Sequence, residues 1–186
     1  MQAGEFRILA INPGSTSTKM ALYVNERPEF VKNIRHSDAE MAQFHGRPIL
    51  DQQQFRCAQI EAALTEAGHN IGELHAVVGR GGLLPALASG TYVVNEEMLD
   101  ELRLARRGEH AANLGAFLAY DIAQKAGTQA YVVDPVSVDE WPQCARLSGS
   151  ALLERQCLSH ALNSKAVAKR YARERGERYE IGRAHV

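Results

Sequence analysis

Residues 11–19, INPGSTSTK, hold one glycine, four hydroxyl side chains and a lysine directly after an apolar run. Hydroxyls of Ser15, Thr16 and Ser17 and the neighbouring backbone N–H groups can donate to phosphate oxygens. Gly14 lets a ligand approach the backbone closely, and Lys19 adds a point charge. Asn12 offers an amide suited to orienting a phosphate or a metal-bound water. The same residue types also build plain turns, and composition alone favours that simpler reading. Two known phosphate loops are excluded. A P-loop needs glycine directly before its lysine, where Thr18 stands here, and it opens a helix; residues 19–24 (KMALYV) read as a strand. The dinucleotide pattern G-x-G-x-x-G is absent from this stretch.

Three more side chains invite chemistry. Arg80, inside Gly79-Arg80-Gly81-Gly82, suits a bidentate grip on a carboxylate, with the glycines leaving room for a substrate; an arginine in a glycine-rich turn is the plainer alternative. Asp134 ends the apolar run AYVV just before Pro135, a position where α/β proteins place functional groups and where Asp-Pro also starts turns. His160 can donate a hydrogen bond to an anion, although a histidine in a helical stretch also serves structure alone. Cys157-x-x-His160 has no second ligand pair, so no metal site is expected there. Arg170, Arg173, Arg175 and Arg178, interleaved with Glu174 and Glu177, read as a solvated helix face.

The elements that must hold these groups follow from periodicity. Residues 6–11, 19–24 and 29–35 read as three strands close enough for an antiparallel meander. Ser37 and Asp38 cap a short helix at 38–44. Apolar residues at 55, 58, 60, 63, 64 and 67 predict a helix over 52–67, stopped by Gly68. Short strands are expected at 75–78, 91–94 and 130–133. Asn95 caps a helix running to about residue 107, with acidic residues first and arginines last, as the helix dipole favours. A further helix spans 110–126, and residues 150–175 read as helical in two pieces divided near Ser159. The order is β-β-β followed by alternating helices and strands, an α/β pattern.

Bulk composition agrees. The chain has 186 residues, 45% of them apolar and 23% charged, as in an ordinary globular domain. A net charge of -1 gives no pull toward nucleic acid. Three cysteines without a CxxC fit a reducing cytoplasm rather than a disulfide framework. No signal peptide or membrane span is expected from the sequence.

The motifs taken in order, INPGSTSTK, VVGRGG, GEHAANLGAFLAYDIA, AYVVDPVSVDEW and SHALNSKAVAKRYA, resemble the butyrate kinase branch of the acetate kinase family, from about residue 6 to about residue 180. GRGG followed by LLPALASGTYVVNEEML resembles the butyrate branch, where acetate kinases carry a histidine-rich version. The resemblance implies a ribonuclease-H-like, actin-like ATPase fold, with residues 1–150 as its first domain and 151–180 as the helical start of a second. It implies phosphoryl transfer between ATP and a short-chain fatty acid with Mg2+, and a homo-oligomer at full length, with neither nucleic acid nor membrane as partner. Residue by residue, it implies Asn12 near magnesium and phosphate, Lys19 near the nucleotide phosphates and Arg80 on the substrate carboxylate. It further implies Asp134 as catalytic aspartate, His160 beside the transferring phosphoryl group and His110 as a further site histidine. An ionised carboxylate substrate needs no general base, so Asp134 is expected to organise magnesium or Arg80 rather than to accept a proton.

Acetate or branched-chain acid kinases and a non-catalytic actin-like nucleotide-binding module remain alternatives. The family chain is about twice this long. The closing EIGRAHV matches one reading frame of a sequencing-library adapter, so residues 181–186 are expected to be non-native and this chain inactive alone.

Overall fold

The structure, a computed structural model, describes residues 4–157 and 161–179. Strands β1 (Arg7–Pro13), β2 (Ser17–Val24) and β3 (Arg27–Arg35) form the expected antiparallel meander. The short helix α1 (Asp38–Ala42) and the longer α2 (Gln53–Glu66) follow. Strand β4 (Ala76–Arg80) then pairs in parallel with β1. After β5 (Thr91–Val93) come α3 (Glu96–Leu104), α4 (Leu114–Ala126) and β6 (Gln129–Val133), which inserts between β4 and β5. The six described strands make one sheet in the order β3-β2-β1-β4-β6-β5.

Strand alternation decides which side is core. Leu9 and Ile11, Met20 and Leu22, Val77, Ala130 and Val132 all point to one face and are buried there. Ile60 and Leu64 of α2 and Leu114, Leu118 and Ile122 of α4 complete that core. Each large side chain so buried contributes about 1.5–3 kcal/mol. The intervening residues, among them Asn12, Lys19 and Arg80, face the other way.

Local signals explain most ends. Ser37 and Glu40 make a reciprocal capping box on α1, and the Asn95 side chain accepts from the Met98 amide at the start of α3. Gly127, at φ +68°, stops α4. Two expectations are corrected. The α3 helix ends at Leu104, not near residue 107, because Ala105 takes a left-handed conformation and Arg107 folds back to pair with Glu101. Residues 150–157 are not helical. Gly149 is left-handed, the Ser148 hydroxyl bonds the carbonyls of Ser150 and Leu153, and Leu147 bridges Glu154. Such side-chain bonds offer the backbone an alternative to helix. Helix α5 runs Ala161–Glu174; the expected break near Ser159 and the tail at 181–186 lie outside the described residues. Among the described residues, no helix is long and apolar enough to cross a membrane.

Candidate active site

Sheet register assembles the site. Asn12 pairs with Lys19 across β1 and β2, and Ile11 pairs with Gly79 across β1 and β4, which brings Arg80 level with Asn12. Arg80 in turn pairs with Val133, and Asp134 follows it. Lys19, Asn12 and Arg80 thus form a row on the face opposite the core, at the carboxyl ends of the parallel strands, where open α/β sheets hold ligands. They line a cleft of about 560 Å³ together with Asp134, Tyr23 and Asn163 of α5. Arg80 Nη1 donates to Asn12 Oδ1 at 3.3 Å.

The glycines around Arg80 do not leave room for a substrate, and that expectation is corrected. A methyl group at Gly81 would strike Pro135 and Val132, and one at Gly82 would stand 2.5 Å from Asn113 Oδ1. A methyl at Gly79 would stand 2.5 Å from the carbonyl carbon of Gly115, and one at Gly115 would be 2.9 Å from that of Arg80. These glycines let the first turn of α4 and the Asp134-Pro135 segment press directly on the Arg80 backbone. The space is filled by protein, and its effect is to fix where Arg80 starts.

Asp134 sits at φ +42°, a left-handed conformation uncommon outside glycine. Its Oδ1 accepts from the Gly90 amide at 2.7 Å, and its own N–H donates to the Gly90 carbonyl at 3.1 Å. One carboxylate oxygen is therefore spent on holding the loop before β5.

Three carbonyls of the loop from Gly14 to Ser17 are tied down. The Ser15 carbonyl accepts from Arg56 Nη2 at 3.1 Å, the Thr16 carbonyl from the His36 amide at 3.0 Å, and the Ser17 carbonyl from Arg56 Nη1 at 3.1 Å and the Gly14 amide at 2.7 Å. By contrast, the amides of Ser15 and Thr16 and the hydroxyls of Ser15, Thr16 and Ser17 have no partner among the described residues. The tip therefore turns three carbonyls inward and leaves two amides and three hydroxyls open to donate. Gly14 differs from the glycines near Arg80: a methyl there would make only an ordinary contact, 3.4 Å from Ser17 O. Gly14 to Ser17 form the rim beside the cleft rather than its lining.

Arg56, Thr18 and His36 escaped the sequence reading. Arg56 is fully buried, on the face of α2 that carries Ile60, Ala63 and Leu64. A charged residue in an apolar helical stripe was the available signal. Its guanidinium also donates to the Thr18 hydroxyl at 3.0 Å, and that hydroxyl lies 2.9 Å from His36 Nε2. Burial lowers Arg56 to about 10, which leaves it charged at neutral pH. Burial and then the Arg56 charge lower His36, which keeps its imidazole neutral there.

Of the two candidate histidines, His110 caps the turn before α4, its Nδ1 accepting from the Ala112 amide at 3.0 Å, and it is not among the cleft-lining residues. His160 lies outside the described residues. Among the described residues, no three His, Cys, Asp or Glu side chains cluster to hold a metal. Magnesium does not require such a cluster. It keeps several waters and takes one or two carboxylates plus substrate phosphates. The donor set of Asp134 and a water on Asn12 fits that habit.

No protein-family model matches the chain. It is 50% identical over 175 residues to Butyrate kinase 1 of Clostridium acetobutylicum, a match that covers 94% of this chain and 49% of that protein. It is 48% identical over 176 residues to Butyrate kinase 2 of the same organism, covering 95% and 49%. The chain is a relative of the butyrate kinases. It spans about half the length of the curated butyrate kinases it matches. The crystal structure of Porphyromonas gingivalis acetate kinase superposes with a TM-score of 0.60 at 13% identity, covering 94% of this chain and 50% of that one. That likeness speaks for the fold, the ribonuclease-H-like, actin-like α/β architecture expected from the sequence.

Proposed function

We propose that this butyrate kinase relative, at the full length of its curated counterparts, moves a phosphoryl group between ATP and butyrate, giving butyryl phosphate and ADP. The observation that carries the reading is the cleft that unites Lys19, Asn12, Arg80 and Asp134 beside a loop whose Ser15 and Thr16 amides and three hydroxyls stay open to donate. The names of its relatives point the same way.

In this reading the Arg80 guanidinium grips the acid carboxylate through paired charge-assisted hydrogen bonds. The Asn12 oxygen, accepting from Arg80, holds that grip in place, and the Asn12 amide protons remain for a phosphate oxygen. The loop donors of Ser15, Thr16 and Ser17, the approach opened by Gly14 and the Lys19 ammonium hold the nucleotide phosphates. A loose transition state spreads charge over three phosphoryl oxygens, so positioning and charge neutralisation supply most of the rate. His160 would donate to those oxygens, and His110 would serve the substrate side. The acid is ionised at neutral pH, so no residue need remove a proton. Asp134 and, through water, Asn12 would hold magnesium, which would supply further neutralisation. The proposal places the enzyme in the cytoplasm, as a homo-oligomer acting on small molecules, with no membrane or nucleic-acid partner.

The test uses a protein extended to the length of the relatives, with acyl phosphate trapped as hydroxamate in the presence of acetate, butyrate or isobutyrate. Butyrate should give the highest kcat/KM. Arg80→Ala should lower kcat/KM for the acid about 10- to 100-fold, as expected for losing hydrogen bonds to a charged group. Unchanged KM and kcat would refute the assignment of Arg80. A preference for acetate or isobutyrate would reassign the substrate within the carboxylate kinases. ATP binding with no acyl phosphate from any acid would favour the non-catalytic module.

A further inference from the structure

Arg56 is a buried cation without a buried anion. Its five N–H groups make five hydrogen bonds: two to Gln52 Oε1 at 3.0 and 2.8 Å, and one each to the Ser17 carbonyl, the Thr18 hydroxyl and the Ser15 carbonyl. Every one of these acceptors is neutral, and no ion pair among the described residues includes Arg56. Buried charges are ordinarily paired, because an isolated one is costly. The charge lies directly behind the loop whose outer side shows unsatisfied donors. Peptide groups are planar and trans, so drawing the Ser15 carbonyl inward turns the Thr16 N–H outward.

We propose that Arg56 is a positioning residue for this loop: it orients the tip so that donors face outward, and its charge is balanced by the polyphosphate that the tip receives. The proposal rests on the phosphate reading of residues 14–19. Arg56 touches no ligand in it. It acts through the Ser15 and Ser17 carbonyls and through its field across one layer of backbone.

The test titrates inorganic triphosphate into the 15N-labelled 186-residue chain at two salt concentrations, following amide and arginine side-chain signals. In the wild type, the amides of residues 14–19 should shift, and Lys19→Ala should weaken binding about tenfold. Absence of loop shifts in the wild type would overturn both the phosphate reading and the role of Arg56. Loop shifts with intact Lys19 dependence would uphold the first and leave the second to the Arg56 variants. Arg56→Lys keeps the charge but cannot fork to three acceptors; it should weaken triphosphate about tenfold while retaining the salt dependence. Arg56→Met should weaken it further and flatten the salt dependence. A merely structural arginine would alter melting temperature in both variants while the affinity and salt dependence of the folded fraction stayed at wild-type values, and that result would overturn the proposal. Should neither variant fold, the wild-type Arg56 Nε–H signal decides. It should move on triphosphate addition with the same apparent Kd as the loop amides, and an unmoved signal would refute the coupling.

Discussion

Replacing Gly79 by alanine should cost both stability and function, for one geometric reason. The added methyl would overlap the Gly115 carbonyl oxygen, stand 3.2 Å from the Ala116 nitrogen and come within 2.5 Å of the Gly115 carbonyl carbon. That is about 0.9 Å short of the 3.4 Å at which ordinary contact begins. All of these atoms are backbone in the first turn of α4, so no side-chain rotation relieves the clash. Either α4 lifts from the sheet by about 1 Å or β4 bows outward and carries Arg80 with it. Overpacking of this kind costs about 1–3 kcal/mol. At about 2–4 °C per kcal/mol for a domain of this size, melting should fall by roughly 2–12 °C. In an active full-length protein in which Arg80 grips the acid as proposed, a displacement near 1 Å there should lower kcat/KM by up to about 100-fold. Gly14→Ala is the internal control. Its methyl makes only a 3.4 Å contact and the site has no positive φ, so melting should move by less than about 2 °C. Thermal unfolding by circular dichroism measures both variants. A Gly79→Ala protein that melts within 1 °C of wild type would refute the claim that the strand–helix contact fixes Arg80.

Two further outcomes follow from burial. The Cys57 thiol is buried beside Asp121, and burial first and the Asp121 charge second push it up to about 12; a thiol reagent at pH 8 should therefore modify exposed Cys144 quickly and Cys57 only on unfolding, and rapid labelling at Cys57 in the folded chain would contradict its placement. His36 has its pKa lowered by burial and by Arg56, so the unfolded chain takes up a proton that the folded chain resists: its contribution is complete above the unfolded value of about 6.5 and is lost as pH falls from there toward the lower folded value. Melting temperature should accordingly drop between pH 7.5 and 5.5 in the wild type and drop less in His36→Gln, and equal pH dependence in the two would count against the buried neutral imidazole.

What could be read from the sequence was what local chemistry dictates. The meander, the caps at Ser37 and Asn95, the stop at Gly127 and the strand ending at Asp134 all stem from side chains acting on their own neighbourhood. Residues 150–157 could not be read that way. Their apolar spacing imitates a helix, and the Ser148 and Gly149 backbone chemistry that overrides it gives no periodic signal. Arg80 and Asp134 were visible as residue types in suggestive places. Their glycine neighbours were misread, because whether a glycine makes room for ligand or for protein depends on α4 and Pro135, which arrive from distant sequence. Arg56 stood out only as a charge in an apolar helical stripe; its role stayed hidden because three of its five bonds reach about 40 positions away, into the loop it supports.

The two faces of the sheet explain why function and fold separate so cleanly along β1 and β2. Each strand alternates, so Ile11 and Met20 serve the core while Asn12 and Lys19 serve the cleft. A one-residue slip of β2 against β1 would exchange those sets, burying Lys19 and exposing Met20. Register is therefore held by more than the ladder. The Gly14 amide on the Ser17 carbonyl closes the hairpin, and buried Thr18, bonded to Arg56 and near His36, locks the first inward position of β2. Of these side chains Arg56 also draws the Ser15 and Ser17 carbonyls inward, and the His36 backbone amide holds the Thr16 carbonyl. In the proposed phosphate reading the contacts that prevent a slip also prepare the loop for its anion, so substitutions at Thr18 should disturb both together, whereas Gly14→Ala should leave both near wild type.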